Sequence, residues 1–69
     1  MRDDLDSLIQ QMIDRGIRLD DAQREFERVF IVRALGKSNF NVCRAAKITG
    51  LHRNTLSRKM TNYKIKKSA

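Results

Sequence analysis

At 69 residues the chain has room for one domain, and a core of that size buries too little surface for comfortable stability as a single copy, so a partner subunit is expected. With no proline, three glycines and 33% charged residues it favours continuous helices over a sheet-rich or disordered chain, and its lone Cys43 and lone His52 exclude a disulfide framework or a metal cluster within one chain. The formal net charge of +7 is divided unevenly: residues 1–32 carry five arginines against eight carboxylates, whereas residues 33–69 carry ten lysines and arginines and no acid, the electrostatic footprint of a polyanion partner.

Leu5, Leu8, Ile9, Met12 and Ile13 fall on one helical stripe, with Asp3, Asp4 and Asp6 near the end where the helix dipole favours anions. Gly16 stops this first helix. Asp20 or Asp21 can cap a second, in which Ala22, Phe26, Val29, Phe30 and Arg33 share one side while Ile31, Val32 and Leu35 cover most of the other. A helix apolar almost all round toward its end must be buried on two sides. The commoner role for Phe26, Phe30 and the Val29–Val32 run is core of a single chain, but the small size of the domain argues for a dimer core that includes Leu8, Met12, Phe26, Val29 and Phe30. The same run is the longest strictly apolar one and cannot cross a bilayer, and residues 1–17 lack the pattern of a signal peptide. No membrane partner is expected, and a single cysteine fits a reducing cytoplasm.

Gly36 to Phe40 reads as a short polar connection; Asn41 can cap a third helix running to about Ile48, and a fourth begins near His52 and ends near Asn62. Lys64 to Ala69 reads as a basic tail. The third and fourth helices make a bihelical unit, for Ala46 lets them cross closely, Gly50 can adopt the left-handed conformation of a tight turn, and Leu56 packs beneath the crossing. Ala45, Leu51, Met60 and Tyr63 complete the inner side. The opposite face then displays Arg53, Asn54, Ser57, Arg58 and Thr61, with His52 at its start. The expected fold is therefore all-α: four helices with a C-terminal helix-turn-helix and a dimer core. Residues 1–36 are expected to form the helical dimerisation region and 37–69 the helix-turn-helix region with its basic tail, within a single domain overall.

The pattern Asn41-x-x-x-Ala45-Ala46-x-x-x-Gly50-Leu51-x-Arg53-x-Thr55-Leu56-x-x-Lys59-Met60-x-x-Tyr63-x-Ile65 resembles the Fis-type helix-turn-helix, the module of the Fis nucleoid protein and of NtrC-type enhancer-binding activators. The resemblance implies that Arg53 reads a base edge, most naturally the O6 and N7 of guanine, and that Arg58, His52 and Asn54 also face bases. It implies phosphate contacts from Asn41, Cys43, Arg44, Thr55, Ser57 and Lys59, helped by the amino end of the third helix. His52 stands where the family often has Asn, and Phe40 where it commonly has Gly. The resemblance implies a four-helix chain whose first two helices pair with a second copy in an intertwined dimer core, with 37–69 as the DNA-binding region. The implied partners are double-stranded DNA, a second copy, and RNA polymerase or further domains of a longer activator, in a bacterial nucleoid. In Fis-type dimers the two recognition helices stand closer than one helical turn of straight DNA, so the resemblance also implies a bend.

Simpler roles stand beside these. Surface arginines are usually just solvated, Cys43 at a helix start can serve as a redox sensor, His52 can serve as a pH switch or merely as a cap, and Met60 and Tyr63 are ordinary core residues. No cofactor is expected, and no enzymatic role: the chain lacks a Cys–His site, a carboxylate in its basic half, and a phosphate-cradling glycine loop. Scarce exposed aromatics argue against RNA. A rival reading is a helical protein-interaction module whose basic end docks an acidic partner through the Phe30 region.

Overall fold

A computed structural model describes residues 2–66; Met1 and the last three residues of the expected basic tail, Lys67 to Ala69, lie outside the described residues. Four helices follow one another: α1 (Arg2–Asp14), α2 (Leu19–Lys37), α3 (Val42–Thr49) and α4 (Arg53–Asn62). There is no strand among the described residues.

Gly16, at φ 78°, ends α1 as expected, and the Ile17 N–H reaches back to the Met12 carbonyl at 3.0 Å. That left-handed residue followed by a six-to-one backbone bond is the closure glycine makes cheaply. Neither Asp20 nor Asp21 caps α2. The capping position is Arg18, with no side-chain hydrogen bond, and both aspartates lie inside the first turn, where they offset the dipole and the Asp20 carboxylate accepts the Asp21 N–H. The helix starts earlier than the cap residues suggest, with one free N–H served by Asp20 from within the turn.

The Gly36–Phe40 segment is not a plain linker. Gly36 and Lys37 are helical, and Ser38 closes α2 by donating its N–H to the carbonyls of Ala34 and Leu35 at 3.1 and 3.2 Å. The Ser38 hydroxyl is buried between the Leu35 and Asn41 carbonyls, at 3.2 and 3.1 Å, so it ties the end of α2 to the start of α3. Asn39 and Phe40 both take positive φ, 54° and 64°. Phe40 thus adopts the left-handed backbone that glycine adopts freely, and its half-buried ring packs on the core, an apolar gain that offsets the steric cost of about 1–2 kcal/mol.

The core draws Ile31, Ala34 and Leu35 from α2, Ala45 and Ala46 from α3, and Leu56 from α4. Phe40, Val42, Leu51, Met60, Tyr63 and Ile65 pack around it. Ile65 follows a left-handed Lys64 (φ 57°) and donates its N–H to the Met60 carbonyl at 2.9 Å, so the first part of the expected basic tail folds back onto the core. α2 runs unbroken through Lys37, and Ile31, Ala34 and Leu35 in its last turns pack against the two C-terminal helices.

The outer side of α2 and the stripe of α1 are another matter. α1 buries none of its residues, and Leu8, Ile9, Ile13, Phe26, Val29, Phe30 and Val32 are all exposed in one copy, Met12 being half-buried. The rings of Phe26 and Phe30 lie 5.8 Å apart on this open face. The commoner role, core of a single chain, therefore does not hold for Phe26, Val29 and Phe30.

Candidate nucleic-acid interface

Three local devices fix the geometry of the two C-terminal helices. The Asn41 side chain accepts the Arg44 N–H at 3.1 Å and caps α3. Gly50, at φ 77°, ends it, with the Leu51 N–H on the Ala46 carbonyl at 3.1 Å. His52 then caps α4: its Nδ1 accepts the Asn54 N–H at 3.1 Å. Because Asn41 satisfies an otherwise free backbone donor, Asn41→Ala is expected to cost about 1 kcal/mol and to lower the melting temperature by roughly 4–8 °C. Thermal unfolding followed by circular dichroism checks this; an unchanged melting point would show that the cap contributes nothing.

With Leu56 fully buried, the helical repeat turns Arg53, Asn54, Ser57, Arg58 and Thr61 to solvent, and all five are exposed. The four residues expected at base edges, His52, Arg53, Asn54 and Arg58, thus share one open surface. The Thr61 hydroxyl donates back to the Ser57 carbonyl at 3.2 Å, so only its oxygen lone pairs remain open to solvent. Arg53 reaches toward α3, its guanidinium 3.9 Å from the Cys43 sulfur, and this contact joins the amino ends of α3 and α4 on one side of the molecule. Asn41, Cys43 and Arg44 are exposed there, and Thr55 is half-buried at the edge. Among the described residues no ion pair engages Arg44, Arg53 or Arg58.

Lys59 differs from the other residues expected at phosphate. It is half-buried and its ammonium pairs with the Glu27 carboxylate of α2. Tyr63, one turn further along, donates its hydroxyl to the other Glu27 oxygen at 2.9 Å. Lys59, and then Tyr63, hold the Glu27 carboxyl below the usual carboxylate range, while burial and the bond to Glu27 push the Tyr63 hydroxyl up. In the sequence Glu27 stands out only as the last carboxylate before the acid-free half and as the upstream edge of the family resemblance, and neither marks it as a partner of Lys59.

A capped short helix, a left-handed glycine turn and a second capped helix packed over Ala46 and Leu56 define a helix-turn-helix, with an acid-free outer face on its second helix. Residues 22–67 match the family described as bacterial regulatory protein, Fis family, and the chain belongs to that family. No curated protein and no solved structure matches the chain. Membership marks it as a DNA-binding regulatory protein, a class not typically enzymatic. No helix among the described residues is long and apolar enough to cross a membrane, and no group of residues there could hold a metal ion.

Proposed function

We propose that the chain binds double-stranded DNA as a homodimer, each copy laying α4 in the major groove. The observation that carries this reading is the exposed, acid-free face of Arg53, Asn54 and Arg58, adjoined by the capped amino end of α3 with Cys43 and Arg44. Arg53 reads a base edge, Arg58, His52 and Asn54 assist, and Asn41, Cys43, Arg44, Thr55 and Ser57 position the duplex through phosphates. Residues 1–36 supply the second copy's contact and residues 37–69 the DNA contact, with α2 shared between them. A dimer of this kind bends its site, which makes flexible flanking steps part of the preference.

Binding to labelled duplex across a salt series tests the reading. Affinity is expected to fall steeply with salt, and Arg53→Ala is expected to weaken binding to a selected site by about 1–3 kcal/mol, roughly 5- to 150-fold. Equal binding by Arg53→Ala, or binding indifferent to salt, would overturn it. The exposed Phe26 and Phe30 rings also favour a second reading, a protein-interaction module; such a module would ignore duplex DNA in the same titration.

A further inference from the structure

Among the described residues three ion pairs form, and two of them, Arg24–Asp21 and Arg28–Glu25, lie three residues apart along the outside of α2. The third crosses from α2 to the recognition helix. Glu27 commits both carboxylate oxygens to it, one to the Lys59 ammonium and the other to the Tyr63 hydroxyl. Lys59 and Tyr63 stand four residues apart near the end of α4, so both point from one side of the helix and one carboxylate reaches both. The side chains of Lys59 and Glu27 are 32% and 36% exposed, a setting less screened than open surface.

A lysine gains affinity for DNA by neutralising a phosphate and releasing a counterion. One already neutralised by a carboxylate releases none, and the carboxylate beside it repels an approaching phosphate. Resting on the reading that α4 lies in the major groove, we propose that Glu27 is a positioning residue for DNA binding: it holds Lys59 in an intramolecular pair and so withholds that cation from the phosphate backbone. The DNA-facing charge is then concentrated at Arg53, Arg58 and the amino end of α3. Glu27 sets the sequence-independent part of the affinity and leaves base readout untouched, because phosphate contacts carry no sequence information.

The test is a salt series on duplex binding by the full chain, with random-sequence duplex as the probe, for four proteins: unaltered, Lys59→Gln, Glu27→Gln, and the double variant. Lys59→Gln alone is expected to leave the slope of log affinity against log salt unchanged. Glu27→Gln is expected to tighten binding and to steepen the slope by about 0.9, so that its advantage shrinks about threefold between roughly 50 and 200 mM salt. The double variant is expected to return to the original slope. A slope flattened by about 0.9 in Lys59→Gln would overturn the inference, because it would mark Lys59 as an open phosphate contact. So would an unchanged slope in a Glu27→Gln protein that keeps its helical circular dichroism. If Glu27→Gln fails to fold, Lys59→Gln decides alone. Absence of duplex binding by the unaltered chain would instead remove the DNA-binding reading, and this inference with it.

Discussion

Leu56→Ala is expected to cost about 2–5 kcal/mol, the price of an emptied core position, and so to leave the C-terminal helices largely unfolded. Leu56 has 0% exposure and is the one fully buried side chain α4 contributes to a core otherwise made by Ile31, Ala34 and Leu35 of α2 and Ala45 and Ala46 of α3. The two alanines have no methylenes with which to refill the space, so the cavity collapses poorly. A chain of this length has a total stability of roughly 3–10 kcal/mol, and the substitution removes a large share of it. Urea unfolding followed by circular dichroism reads the loss directly. A change below about 1 kcal/mol would place Leu56 outside the core. DNA binding should fail in parallel, since the Arg53 face exists only while Leu56 is turned inward.

Phe30→Asp is expected to do the opposite, sparing the fold of each copy while separating the copies. Phe30 is 48% exposed and its neighbour Phe26 62% exposed in a single chain, so neither contributes much to the core around Leu35. Under the proposed dimer both rings are buried against the second copy, each worth about 1.5–3 kcal/mol, and the symmetry of the contact counts every ring twice. A carboxylate there would lose its water without gaining a partner. The expected result is a monomer by sedimentation, with affinity for a duplex carrying two half-sites reduced about 100-fold or more as the linked second contact is lost. Because the second copy stabilises the folded chain by mass action, the separated chain is expected to melt lower and at a temperature independent of protein concentration. A dimeric mass in Phe30→Asp, or a monomeric one in the unaltered protein, would remove this face as the dimer contact.

The four helices, the glycine turn and the open face of α4 were legible in the residues because each rests on signals that act within one or two turns. Asn41 and His52 cap their helices through N–H groups two or three residues away. Gly16 and Gly50 end theirs through their own backbone freedom. Leu56 buried with Arg53 and Arg58 exposed follows from the helical repeat alone. The acid-free half is likewise plain from composition, and with these residues it pointed to the Fis family that residues 22–67 match.

Where the signal was local but ambiguous, the tertiary structure chose. Both sides of α2 are apolar near its end, so periodicity lacks the contrast that tells a buried side from an open one. Packing against α3 selected Ile31, Ala34 and Leu35 and left Phe26 and Phe30 outside. The segment from Gly36 to Phe40 looked polar and loose, yet Ser38 is buried because its hydroxyl is caught between two carbonyls that meet only when α2 and α3 are docked. Phe40 keeps a left-handed backbone because the core holds its ring. Tyr63 and Glu27 are 36 residues apart, and no spacing rule reaches that far: their meeting depends on the angle at which α4 returns toward α2. Local chemistry determined that α4 turns Arg53 to solvent, and only the docking of α2 decided that Lys59 is bound to a carboxylate of its own chain.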